Sequence, residues 1–187
     1  MGRTMNLLTK LARQGAHFSG DCRGLSAVEC ALLLPVMLTL YLGTVEASQG
    51  IATDRKVELT AHALADLASQ YTDITNADMS NILNAGSAII APYSASNLSE
   101  VVSEIAIDAQ GNATVVWSDA LNGTALTANQ TVSVPTSLAV PNTYLLLAQV
   151  QYSYQPTYGY VMTGTLTLSD QSFIRPRDSN SIARTGS

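Results

Sequence analysis

From Leu25 to Val45 the chain reads LSAVECALLLPVMLTLYLGTV, an apolar stretch broken only by Glu29 and Pro35. A helix rises about 1.5 Å per residue, so a run of this length covers roughly 30 Å, the thickness of a bilayer's hydrocarbon core. A helix of that length buried in a soluble domain carries a polar stripe, and none is visible here. The run therefore predicts a single transmembrane helix over residues 25–45. Pro35 removes one backbone donor inside it, so a kink or a short local loosening is expected there, of the kind that membrane helices tolerate.

Charge gives this helix a direction. Arg3, Lys10, Arg13 and Arg23 precede the run, whereas Glu46 and Asp54 stand before the Arg55-Lys56 pair that follows it. Basic residues stay on the cytoplasmic side of a membrane helix, which makes residues 1–24 a cytoplasmic leader and residues 46–187 an extracytoplasmic domain. A cleaved secretory signal is the competing reading, but Ala47-Ser48-Gln49 is a poor version of its small-residue cleavage site. The length suits one compact domain plus an appended segment. From Leu25 onward thirteen acidic residues stand against five basic ones, a balance that repels phosphate backbones and argues against nucleic acid as a partner.

The outer part reads as α+β. Residues 46–71 place Ile51, Val57, Leu59, Ala61, Leu64 and Leu67 at roughly helical spacing, so the membrane helix is expected to continue as a helical stalk. A second helix is predicted from Asn76 to Ile90, ended by Pro92. The period then changes to that of strands. Residues 101–107 and 113–117 flank Asp108-Ala109-Gln110-Gly111-Asn112 and predict a hairpin. Further strands are expected over 143–154 and 160–174, completing a small antiparallel sheet packed on helices. In the first of these, alternation puts Leu146, Ala148, Val150, Tyr152 and Tyr154 on the core face. Residues 121–141 read as a loop with one short strand near Val132 to Val134, and 179–187 as a frayed tail.

Little in the chain suggests catalysis. Histidine is the commonest proton carrier in active sites; here it occurs only as His17 in the leader and His62 on the stalk helix, where no nucleophile is seen beside it. Cys22 and Cys30 with two distant histidines do not make a metal set, and Cys30 reads as a small hydrophobe in an apolar helix. Glu100, Glu104 and Asp108 are spaced as along a solvated surface, and the loop after Asp108 lacks the alternating acidic ligands of calcium loops. No cofactor or metal is expected. Tyr158 and Tyr160 in the late hairpin are candidate partner contacts, because exposed tyrosine is favoured at interfaces. Arg175 and Arg177, which flank Pro176, would hold a neighbour's carboxylate or cap the last strand.

The residues around Gly24 carry a resemblance. Glu29 follows Gly24 by five positions, which resembles the processing site of type IV pilin-like precursors. The stretch RGLSAVECALLLPVMLTLYLG at 23–43 is similar to the RGxxAVEFALxxP signature of the TadE/TadG-like family, with Cys30 in place of the usual aromatic. Arg55-Lys56-Val57, Ala65-Asp66-Leu67, Ala91-Pro92-Tyr93, Val116-Trp117-Ser118, Val150 to Tyr154 and Arg175-Pro176-Arg177 extend the likeness. The resemblance implies a prepilin peptidase that cuts after Gly24 and frees the amino group of Leu25. An ionised carboxylate in hydrocarbon is costly unless a cation neutralises it, so Glu29 of one subunit would pair with the Leu25 amine of its neighbour. The plainer alternative is a Glu29 that sits near the interface, hydrated or protonated. The function implied is that of a non-enzymatic pseudopilin-like component of Tad/Flp pilus assembly and surface adherence, single-pass in a bacterial inner membrane with its C-terminal domain in the periplasm. Its implied partners are the Tad/Flp machinery, related pilin-like subunits, the peptidase and membrane lipid. A membrane-anchored extracytoplasmic ligand-binding or sensory module is the alternative.

Overall fold

A computed structural model describes residues 23–156 and 164–186. The chain divides into two compact units, Met1–Val45 and Glu46–Ser187. One helix, α1 (Arg23–Ser69), contributes to both and runs unbroken through Pro35. Within the first unit its large apolar side chains from Val28 to Tyr41 are between 52% and 70% exposed. It is the one described helix long and apolar enough to cross a membrane.

In the second unit α1 buries a single stripe. Glu46, Gly50, Thr53, Val57, Thr60, Ala61, Leu64, Ala65 and Ala68 recur at three- and four-residue steps and are inaccessible or nearly so, the spacing of one helix face. The expected stripe is thus corrected in two places. Ile51 and Leu59 are 66% and 59% exposed, because the 3.6-residue period rotates them away from Val57 and Leu64. Small and hydroxylated residues at 50, 53, 60 and 61 let the helix lie close to its neighbours.

Asp73–Ile74 forms β1, followed by α2 (Asn76–Ile89). Thr75 caps α2 reciprocally with Asp78: the Asp78 N–H donates to the threonine hydroxyl, and the Asp78 carboxylate accepts from the Thr75 backbone N–H at 3.1 Å. Two of the four orphan donors of the first turn are satisfied in this way. These bonds hold the Asp78 carboxyl below the usual carboxylate range. At the other end the Lys56 ammonium donates to the Ile89 carbonyl at 3.0 Å and to that of Ala91, a cation on the negative end of the helix dipole. Met79, Ile82, Leu83 and Gly86 face the core.

After a 3₁₀ turn at Ala95–Asn97 come β2 (Leu98–Ile107), β3 (Ala113–Leu121), β4 (Thr143–Tyr154) and β5 (Leu166–Ile174). They form an antiparallel sheet ordered β3-β2-β4-β5. The fold is α+β, as the sequence pattern predicts. The β2–β3 turn is held by Asp108, whose carboxylate accepts from the N–H groups of Gln110 and Asn112, both at 2.8 Å. Gly111 supplies the left-handed residue, φ +86°, that this turn requires. With its oxygens committed to the loop, Asp108 sits well below its ordinary pKa, chiefly through Asn112.

The sheet has two differently covered faces. Leu98, Val102, Leu146, Ala148, Val150, Tyr152 and Tyr154 pack with α1 and α2, matching the alternation expected for β4. On the opposite face Ile105, Ile107, Val115, Leu145 and Leu147 form a smaller core covered by Leu126, Val132, Val134 and Leu138. The loop between β3 and β4 therefore serves as a lid over half of the sheet, tied down by the Val132 N–H on the Ala113 carbonyl at 3.0 Å.

The expectation of a frayed C-terminus is overturned. Ala183–Arg184 forms β6, paired in parallel with β1, and Ile182 is 1% exposed. The reason is a set of long-range polar contacts that no local pattern announces.

Candidate functional site

Two regions carry the informative side chains. The first is the exposed apolar half of α1. Glu29 and Cys30 are exposed there, in a stripe with Leu33, Met37 and Tyr41 at helical spacing. The Thr39 hydroxyl donates to the Pro35 carbonyl and that of Thr44 to the Leu40 carbonyl, each at 2.8 Å, so both polar side chains satisfy themselves on their own helix. Gly24 and Leu25 lie in its first turn, and their side chains fall outside the described residues.

The second region lies where β2 and β3 meet the C-terminal segment. A bulge shifts the register so that Glu104 faces Trp117 and Ile105 faces Val115, leaving Val116 as the extra residue. The Trp117 indole N–H donates to the Ile182 carbonyl at 2.9 Å, and the Ile182 N–H donates to the Glu104 carboxylate at 2.6 Å. Burial pushes the Glu104 carboxyl up, while the bond from the Ile182 N–H and a side-chain interaction of Trp117 with the carboxylate oppose the shift. Two residues on, the Arg184 guanidinium forks onto Asp119, with Nε 2.8 Å from one oxygen and Nη2 3.3 Å from the other. The same group reaches Asn76 at 2.6 Å and the Ile74 carbonyl at 3.2 Å. Arg184 thereby fastens the tail to β3, to β1 and to the start of α2, using the planar donor geometry that suits arginine to such a task.

Glu100, one of the three carboxylates expected on a solvated surface, is fully buried, and so in effect is Glu104 at 1% exposure. Both lie on the helix-facing side of β2, where the even positions alternate inward. Only Asp108 is at the surface as expected.

Of the anticipated partner contacts, Tyr158 and Tyr160 lie outside the described residues. Arg175 is exposed. Arg177 pairs with Asp66 of α1 at the surface, and its N–H donates to the Ser69 carbonyl at 3.0 Å, so its charge serves a local contact. His62 also has a partner that the sequence reading missed: the Ser172 hydroxyl of β5 lies 2.9 Å from its Nδ1. Ser172 is 4% exposed and faces Ala148 in the ladder. A nucleophile must reach its substrate, and this hydroxyl is shut in between helix and sheet. Among the described residues no group of three His, Cys, Asp or Glu side chains could hold a metal ion.

Residues 24–66 match the family model described as TadE-like protein. This segment is TadE-like. The TadE-like segment takes in Glu29, the exposed apolar residues, and the buried stripe from Glu46 through Ala65. It stops before α2 and the sheet. No curated protein and no solved structure matches the chain.

Proposed function

We propose that this chain is a non-enzymatic, membrane-anchored, pseudopilin-like component of Tad/Flp pilus assembly. The observation that most supports this reading is the TadE-like match itself, which begins at Gly24 and runs through Glu29 and the exposed apolar side chains of α1. Large apolar groups exposed all round a helix need a lipid or protein phase to cover them. In this reading residues 25–45 lie in the inner membrane. Basic residues before them hold the N-terminus in the cytoplasm, and residues 46–187 stand in the periplasm.

The finer steps concern processing and packing. A prepilin peptidase removes residues 1–24 after Gly24, and the new amino group of Leu25 on one subunit neutralises Glu29 of the next. Lateral pairing of that kind fixes the axial offset between neighbouring helices, because a charge left unpaired in hydrocarbon costs several kcal/mol. Tad/Flp machinery proteins and related pilin-like subunits are the partners, with Tyr158, Tyr160 and Arg175 as contact residues and Arg177 through its remaining exposed edge. The buried position of Ser172 supports the non-enzymatic part of the reading.

The test is the mass of the N-terminal peptide of the chain extracted from membranes of cells that contain the peptidase. A mature start at Leu25 is expected. An intact Met1 overturns the processing step and the Glu29 pairing that depends on it.

A further inference from the structure

The carboxyl group of Glu100 is fully buried, and neither of its oxygens has a hydrogen-bond partner among the described residues. It is wedged tightly. A methyl group added at Gly86 of α2 would stand 1.6 Å from Glu100 Oε1, and the same position is 3.0 Å from the Thr60 methyl of α1. The acid therefore fills the space where α1, α2 and the sheet converge, and Gly86 is there because any side chain would displace it. A burial of this kind costs an ionised carboxylate far more than a neutral one.

Nothing nearby is placed to neutralise it. On α1, Lys56 stands one turn before Thr60, and its ammonium is bound to the Ile89 and Ala91 carbonyls. On α2 the ionisable group is Asp78, committed to the Thr75 cap. On β3, Leu121 stands opposite Glu100 and Asp119 is paired with Arg184. On β4, Val150 stands opposite and Tyr152 is the ionisable residue beyond it, stacked at a tilt on Tyr93. On β2 itself Glu104 is bound to the Ile182 N–H. On β5, Asp170 lies across Val150.

We propose that Glu100 is a proton-dependent latch: the neutral acid lets β2 pack against α1 and α2, and its ionisation loosens α2 from the sheet. Burial pushes its pKa up to about 7 from the ordinary value of 4.5. The folded state then holds a proton that the opened state releases. Between the two values the folded form binds more protons, so its stability is greatest at the acid end, falls as pH rises through this window and levels off above about 7. The outer unit would thus be a domain whose second helix becomes easier to detach as its surroundings turn from mildly acidic to neutral. The inference does not depend on membership of a pilus.

The experiment uses the full chain in non-ionic detergent micelles. The Glu100 side-chain carboxyl is followed by carbon NMR, and the opening of the α2 amides by hydrogen exchange corrected for the intrinsic rate, both across the range from mildly acidic to mildly alkaline. The expected result is a Glu100 midpoint near 7, with an opening constant for α2 that rises up to about tenfold per pH unit below it. Glu100→Gln should flatten that dependence while keeping α2 protected at the alkaline end. A midpoint near the ordinary carboxylate value overturns the proposal, as does a Glu100→Gln chain whose α2 opens with the native pH dependence. The titration of the native side chain decides the matter even if the variant fails to fold.

Discussion

The two halves of α1 make opposite uses of one backbone. From Val28 to Tyr41 every large apolar side chain is at least half exposed; from Glu46 to Ser69 the same helix hides a narrow stripe in which most members are glycine, alanine or a hydroxyl residue. Apolar content does not tell the halves apart as well as its distribution does. Where leucine and methionine occupy all sides, no arrangement of a single protein chain this small can bury them, and an outside phase must do it. Where they are confined to one stripe, two helices and a sheet suffice. The lesson is that fold and membrane anchoring are written in separate registers of the same helix and should fail separately.

The largest expected effect comes from attacking the first half. Leu34→Arg with Met37→Arg places two charges near the middle of the apolar run, each costing about 2.5–3.5 kcal/mol for insertion at a helix centre. The chain should move from the membrane pellet to the soluble or aggregated fraction, while tryptophan fluorescence, which reports Trp117 in the second unit, keeps its native spectrum if the protein is held in detergent. A chain still fully resistant to alkaline extraction would show that the exposed residues are covered by something other than lipid. Next in size is Leu64→Ala in the second half. Leu64 is completely buried, and removing it should destabilise the outer unit by about 2–4 kcal/mol, read as a lower denaturant midpoint with membrane retention unchanged.

The same contrast explains what could be read from the sequence. The apolar run, α2 with its threonine cap, the Asp108 hairpin and the inward set of β4 are all local: their signals lie within one element's length, in the spacing of apolar residues or in turn chemistry. The frayed-tail expectation failed because Ile182 and Arg184 are held by Glu104, Trp117, Asp119 and Asn76, residues 65 to 108 positions away. Glu100 and Glu104 looked like surface acids because a strand's alternation gives two faces without saying which is inside, and carboxylates ordinarily mark the outside. Once Val102 is known to face the helices, both acids must. Of the candidate site, Glu29 and its apolar surroundings were legible, since a charge interrupting a hydrophobic run stands out on composition alone. The buried acid beneath Gly86 was not, because a glycine inside a helix reads as a weak point until the group it makes room for is seen.

The smallest effect is the most exacting test of the comparison. Leu59 lies five residues before Leu64 on the same helix, has the same side chain, and is 59% exposed. If burial alone decides, Leu59→Ala should change the stability of the outer unit by no more than about 0.5 kcal/mol, and alanine's better helix propensity would offset part of that. The measurement is the same denaturant midpoint used for Leu64→Ala, made on the isolated subunit in micelles. A loss there comparable to that of Leu64→Ala would mean that the exposed side of the stalk is covered in solution, and the division of α1 into a half that needs an outside partner and a half that does not would have to be redrawn past Val45.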